Sequence, residues 1–260
     1  MIMNFLTTGT KFPYTYYLGI KSASKVGDVK LWYTQIPNSE YFIKIIKELP
    51  SEKIEPIDSI VFKERDAHWN LVSTFDNLMW KIVSQNGGTV MGLDSLTIKP
   101  FVDMIGGFDT MTGRDSDVAG QEWLFAMHGT TCKKDSIIAS EIYEDSCRAL
   151  RGEDYIKRHP HILNPFDNGV LRWGGAGYMP FLNAIYNHPD IIKILPYGML
   201  GGYKHDGSSF YLFEKDGELL NPDCRTIPFY ATSYKKKFDD ITPQNVKDIM
   251  LGKLIEQYKI

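Results

Sequence analysis

Cysteine is scarce in this 260-residue chain: Cys132, Cys147 and Cys224 are the full set, an odd number without metal-clip spacing. A disulfide framework is therefore not expected, and a reducing, cytoplasmic setting is the simpler inference. Long hydrophobic runs are missing too. No stretch of 18 apolar residues occurs, so no transmembrane helix is expected. The opening Met1-Ile2-Met3-Asn4-Phe5-Leu6 has no charged leader, is too short for a signal peptide, and reads as a first buried strand. Excess positive charge is absent: 29 Lys and Arg stand against 32 Asp and Glu, for a net charge of -3. A nucleic-acid partner is not expected, and Lys235-Lys236-Lys237 reads as a solvated patch. The chain has no internal repeat and no low-complexity linker. It also lacks His-Glu-x-x-His, Gly-x-Ser-x-Gly and Gly-x-x-x-x-Gly-Lys-Ser/Thr, which weighs against metalloprotease, esterase and P-loop chemistry.

Apolar residues are plentiful at 43%, enough at this length for a sizeable core and for one domain over residues 1–260. Aromatics reach 13%, which suits stacking on bases or sugars and suits cores equally. The first hundred residues alternate between the two periods. Asn4 to Thr8 reads as a strand, Tyr16 to Ser24 as a helix with Leu18 and Ile20 inward, and Val29 to Tyr33 as a strand. Ser39-Glu40 opens a helix through Tyr41, Phe42, Ile45, Ile46 and Leu49, which Pro50 stops; Ile54 to Phe62 holds two short extended runs. A helix through Trp80 and a strand through Met91 follow. This alternation predicts an α/β sheet, mostly parallel, with ligands at the carboxyl ends of its strands. In the second half, Val118 to His128 is ambiguous between strand and helix. Ser136 to Leu150 is expected to be helical with Ile137, Ile138, Ile142 and Ala149 inward. Ile156 to Phe166 reads as loop, Gly174-Gly175-Ala176-Gly177 as flexible, Tyr178 to Asn187 as helix, and Ile191 to Leu195 and Phe210 to Phe213 as strands. Asp239 to Tyr258 reads as one amphipathic helix with Pro243 in its first turn and an apolar face of Val246, Ile249, Met250, Leu254 and Ile255.

The centre of organisation is residues 76–101. Leu78, Met79, Ile82 and Val83 make a helix face, Gly87-Gly88 ends the helix, Thr89-Val90-Met91 is a short buried strand, and Gly92-Leu93-Asp94 leaves a carboxylate at its end. Ile98-Lys99-Pro100-Phe101 closes the stretch. With Tyr16-Tyr17-Leu18-Gly19-Ile20-Lys21-Ser22-Ala23 and Val29-Lys30-Leu31-Trp32-Tyr33 upstream, it resembles the GT-A type sugar-nucleotide transferases. It looks closest to the Asp-x-Asp group that includes glycosyltransferase family 32 and the capsular polysaccharide transferases.

The resemblance implies a GT-A-like, Rossmann-type mixed sheet, mostly parallel and flanked by helices. Residues 1–101 would be the nucleotide-sugar half and 102–260 the acceptor half. It implies transfer of a sugar from a nucleotide-diphosphate sugar to a glycan, glycoconjugate or other hydroxyl acceptor, helped by Mn²⁺ or Mg²⁺. Asp94 falls on the second Asp of the motif and takes the metal-ligand and catalytic role, because a hard carboxylate suits these cations and the metal neutralises the leaving diphosphate. Two positions depart from the pattern: Gly92 stands where the first Asp belongs, and Met79 where an Arg is usual. Asp76 is expected to hold the donor, its alternative being a surface helix Asp or an N-cap. Thr7, Thr8 and Gly9 would meet the nucleotide, their alternative being a polar turn. His205 is the candidate second metal ligand and Lys204 a diphosphate partner, both in the Gly201-Gly202 loop, where bare backbone amides can approach a phosphate. Ser233, in Pro228-Phe229-Tyr230-Ala231-Thr232-Ser233-Tyr234, matches the group's closing motif. A general base for an inverting reaction would come from Asp115, Asp117, Glu122 or Asp167, with Asp117 put forward. Two other readings stand beside this one. One is a catalytically inactive, transferase-like nucleotide- or glycan-binding protein, with Gly92 as the mark of lost chemistry. The other is a metal-dependent hydrolase using His159 and His161.

Overall fold

The computed structural model describes residues 1–58, 67–115, 125–201, 212, 222–229 and 240–260, with side chains in the first helix turn after residue 66 excluded. The described chain runs β1 (Met3–Thr7), α1 (Tyr14–Val26), β2 (Val29–Tyr33), α2 (Glu40–Glu48), β3 (Ile54–Pro56), α3 (Ala67–Asn86), β4 (Gly88–Met91), β5 (Ser95–Thr97), β6 (Thr110–Arg114) and β7 (Phe125–Cys132). It continues through α4 (Ile137–Leu150), β8 (Phe166–Asp167), β9 (Val170–Leu171), α5 (Tyr178–Asn187), β10 (Ile192–Leu195), β11 (Thr226–Pro228) and α6 (Met250–Gln257). Seven strands form one mixed sheet in the order β10-β6-β7-β4-β1-β2-β3. The pairs β1–β2, β1–β4, β2–β3 and β6–β10 are parallel; β7 alone runs against its neighbours β4 and β6. Helices cover both faces, as the alternation along the chain predicts.

Alternation within the strands assigns the two cores. Met3, Phe5, Val29, Leu31 and Met91 point toward α1, α2 and α6, whereas Leu6, Trp32 and Val90 point toward α3, α4 and α5. Asn4 is buried among these apolar neighbours, and both ends of its amide are satisfied. Its Nδ2 donates to Gly87 O at 3.2 Å and its Oδ1 accepts from Trp32 Nε1 at 3.1 Å. Gly87 carries φ +67° and a Cβ there would stand 2.6 Å from Lys134 N, so the helix stop at this position is both conformational and steric. Ser39 caps α2 by accepting from Tyr41 N–H, and Ser136 caps α4 by accepting from Ala139 N–H.

Several expectations need correction. The residue 239–258 segment is not one helix: Val246–Asp248 is a single 3-10 turn, Ile249 is extended at φ −125° and ψ 167°, and α6 starts at Met250. The Thr242 and Asn245 side chains bond each other's backbone N–H groups, an alternative to helical pairing. Ile137, expected inward, is exposed, because the first turn of α4 carries Ile138 and Ala139 to the core instead. The Gly174–Gly177 stretch, expected to be flexible, is anchored: Tyr155 O–H donates to Gly175 O and Ser146 O–H to Ala176 O. Phe125 to Cys132 is strand, resolving the ambiguous stretch for its described part, while Phe210 to Phe213 lies outside the described residues apart from Leu212.

Candidate active site

In this sheet β1 lies between β2 and β4, and the chain leaves it toward opposite sides of the strand. That is a topological switch point, the place where open α/β sheets keep their ligands. The register pairs Phe5 with Met91, the last residue of β4, so the Thr8-Gly9 turn and the Gly92-Leu93-Asp94 turn follow the ends of two paired parallel strands. Thr7 is buried, and its carbonyl accepts from Thr34 N–H at 3.1 Å; the Thr8 carbonyl accepts from Gln35 Nε2.

The turn that carries Asp94 is held from three sides. Phe229 N–H donates to Asp94 O at 2.6 Å, where β11 pairs with β5. Gly19 lets α1 press against the turn: a Cβ there would lie 2.5 Å from Leu93 O and 2.7 Å from Ser95 O. Ser22 then accepts from Thr97 N–H. The helix residues that carried the family resemblance thus have a packing task, which is to seat the Asp94 turn.

The third brace is His128, on β7, which the sequence reading passed over. Gly92 N–H donates to His128 Nδ1 at 3.1 Å, and His128 Nε2 lies 2.6 Å from Thr226 Oγ1. Burial pulls the imidazole down to about 4, so it is neutral at pH 7. With Nδ1 accepting, Nε2 carries the proton and donates to Thr226, whose hydroxyl turns to Leu200 O. A lone His in an apolar run has no sequence signal for this; only the antiparallel crossing of β7 brings it under Gly92.

Gly92 lies against the Asp94 side chain. A Cβ at this position would lie 2.8 Å from Asp94 Oδ1, so the Asp94 carboxylate folds back over the space a side chain would take. A hard carboxylate oxygen held at a strand end suits Mg²⁺ or Mn²⁺ as a first ligand. Among the described residues, no group of three or more His, Cys, Asp and Glu side chains is placed to hold a metal. His205, Lys204, Ser233 and Asp117 lie outside the described residues.

Asp76 is not an N-cap. It sits in the middle of α3, which starts at Ala67, and it is buried at 8% exposure. Asn86 lies ten residues on, about 15 Å along the helix. β4 then returns from Gly88 to Gly92, about 13 Å. These lengths, with α3 packed on β1 and β4, set Asp76 toward the carboxyl-end side of β4. Its carboxylate presses on the Gly177 backbone, where a Cβ would fall 2.0 Å from Oδ2. Among the described residues no donor reaches this carboxylate, and burial alone raises it to about 7. Neighbouring polar groups are satisfied: Asn77 Nδ2 donates to Ser146 Oγ at 3.0 Å, and Asn183 Nδ2 to Asp145 Oδ2 at 3.0 Å. Asp145 is raised to about 6, first by burial. Tyr178, directly after Gly177, is pushed up by burial and then by the charge of Asp115, which places Asp115 at the end of β6 beside this cluster. Asp167 lies instead on the exposed β8–β9 hairpin.

His159 and His161 occupy a turn, not a strand. Their rings lie 5.1 Å apart, His159 stacks on Tyr186, and His159 Nδ1 accepts from His161 N–H at 3.3 Å. That nitrogen is already engaged, and the pair lies in the loop expected over residues 156–166.

No protein-family model matches this chain, and no curated protein matches it. Among solved structures it is similar to the PaToxG glycosyltransferase at 17% identity and TM-score 0.47, over 72% of this chain and 69% of that one. It is similar to the apo-form glycosyltransferase GlyE of Streptococcus pneumoniae TIGR4 at 13% identity and TM-score 0.49, over 99% of this chain and 63% of that one. An active-site mutant of LgtC is similar at 12% identity and TM-score 0.46, over 94% and 85% of the two chains.

Proposed function

We propose that the chain is a glycosyltransferase that moves a sugar from a nucleotide-diphosphate sugar to a hydroxyl group on a glycan or glycoconjugate. The observation that carries this is the placement of Asp94 and the Thr7-Thr8-Gly9 turn after adjacent strand ends, on a switch point, with a buried Asp76 carboxylate that no donor reaches among the described residues on the helix packed against the same strands. In this reading Thr7, Thr8 and Gly9 border the nucleotide, Asp76 meets donor hydroxyls, and Asp94 holds Mn²⁺ or Mg²⁺ with help from His205. The cation supplies charge neutralisation of the leaving nucleoside diphosphate. Ser95 O–H donates to Gly92 O at 2.6 Å and His128 accepts from Gly92 N–H, so the turn is held in place before substrate arrives. Lys204 and Ser233 are assigned to the diphosphate, and Asp117 or Asp115 to the acceptor proton if the reaction inverts.

Calorimetry with UDP and GDP, each with and without Mn²⁺, tests the proposal. Metal-dependent binding to wild type that disappears in Asp94→Ala is the expected result. Absence of binding to every nucleoside diphosphate overturns it. A donor-hydrolysis screen then names the sugar. Gly92 favours one second reading, a nucleotide- or glycan-binding protein without turnover, because a single carboxylate stands where the pattern has two. Metal-dependent nucleotide binding with no hydrolysis of any donor would select it.

A further inference from the structure

The chain spends an exposed tryptophan on the β8–β9 hairpin. Asn168 and Gly169 carry φ +49° and +78°, both positive, as a two-residue hairpin turn requires, and the hairpin stands clear of the sheet. Trp173 follows it at 61% exposure and Val170 at 67%, whereas Leu171, Gly175 and Ala176 of the same segment are buried. Asn168, Val170, Leu171 and Trp173 line an open hollow of about 550 Å³, which Asp167, Arg172 and Met179 complete. That volume lies within the range of small-molecule sites, about 300–1,000 Å³. Arg172 is held on both sides: Nε donates to Phe166 O at 3.3 Å, and a terminal nitrogen lies 3.8 Å from Asp167 Oδ1. The Trp173 ring is 6.1 Å from that of Tyr178, the residue after the glycine that Asp76 presses on.

A flat indole face bordered by a fixed guanidinium and a carboxylate matches one ligand chemistry well. A pyranose ring offers an apolar C–H face for the indole and equatorial hydroxyls for the charged rim. A planar anion would use Arg172 but meet Asp167; a purely apolar ligand would leave both charges to be desolvated. We propose that this hollow is a saccharide subsite, in which Trp173 carries a sugar ring of the acceptor and Asp167 and Arg172 hold its hydroxyls. Its assignment to the acceptor rests on the glycosyltransferase reading, because the hollow adjoins the Asp76 cluster through Gly177 and Tyr178.

The test is calorimetric titration with a panel of soluble di- to tetrasaccharides of glucose, galactose, mannose and N-acetylglucosamine, on the whole protein. Wild type, Trp173→Ala, Trp173→Phe and Arg172→Ala are compared, with UDP plus Mn²⁺ titrated in parallel. The expected result is saccharide binding weakened about tenfold or more in Trp173→Ala and less in Trp173→Phe, with UDP–Mn²⁺ affinity within about twofold of wild type. Equal saccharide affinity in wild type and Trp173→Ala overturns the subsite. So does the absence of all saccharide binding in a protein that binds UDP–Mn²⁺, a result that leaves Trp173 as a protein contact. If saccharide binding depends on Trp173 while no nucleoside diphosphate binds, the subsite stands and the transferase reading falls.

Discussion

Asp76→Asn probes the most unusual side chain in the fold. Burial holds the Asp76 carboxyl protonated up to about pH 7, whereas its ordinary value is 3.8. The unfolded chain releases this proton near its ordinary value, and the folded chain keeps it until about 7. Between these limits the folded state binds more protons, so stability falls as pH rises, by about 1.4 kcal/mol per pH unit, and levels off above 7. The whole penalty is about 4 kcal/mol, of which about 3 kcal/mol develops between pH 5 and pH 8. Asparagine cannot ionise. Its buried amide costs about 1–3 kcal/mol if it finds no partner, but that cost does not change with pH. The difference in stability between Asp76→Asn and wild type should therefore move in favour of the variant by about 3 kcal/mol from pH 5 to pH 8. Asp145, also raised by burial, is present in both proteins and cancels. Urea unfolding at pH 5, 6, 7 and 8 reads this as a relative midpoint shift of about 1 M, for a slope of about 3 kcal/mol/M. A difference that stays flat across this range refutes the idea of an uncompensated buried carboxylate. On the proposed function the same variant binds donor more weakly, so stability and activity should move in opposite directions.

Other substitutions follow from the same geometry. Gly177→Ala drives a Cβ to within 2.0 Å of Asp76 Oδ2, so a steric cost is expected. A loss of about 1–3 kcal/mol is expected from thermal unfolding, and a variant as stable as wild type would show that the loop moves away freely. His128→Phe leaves Gly92 N–H without its acceptor; it should destabilise by about 1–3 kcal/mol and weaken Mn²⁺-dependent UDP binding, whereas undiminished binding would remove His128 as a positioning residue. Gly92→Ala displaces the Asp94 carboxylate, the end of a flexible side chain, so stability should fall by less than about 1 kcal/mol while the metal dependence of nucleotide binding changes several-fold. An effect on stability alone would separate Gly92 from the site.

Local chemistry along the chain determined the elements where periodicity and punctuation agreed. Val29–Tyr33 and Tyr178–Asn187 fall at the predicted bounds, and Ser39, Ser136 and Gly87-Gly88 mark helix ends as their capping and left-handed preferences require. Asp94 just past a strand end was legible because Gly92-Leu93-Asp94 directly follows the apolar run Thr89-Val90-Met91. What only the tertiary structure decided depends on residues distant in sequence. The burial of Asp76 comes from the α4–α5 loop closing on α3 at Gly177, 101 positions away by subtraction of their numbers. The neutral His128 under Gly92 comes from β7 entering the sheet antiparallel between β4 and β6, a choice that alternation of apolar residues does not encode. Periodicity reports which face of an element is apolar; it carries no record of which element covers that face. The carboxylate could be found from sequence, but that Asp94 folds back over Gly92 was visible only in the tertiary structure.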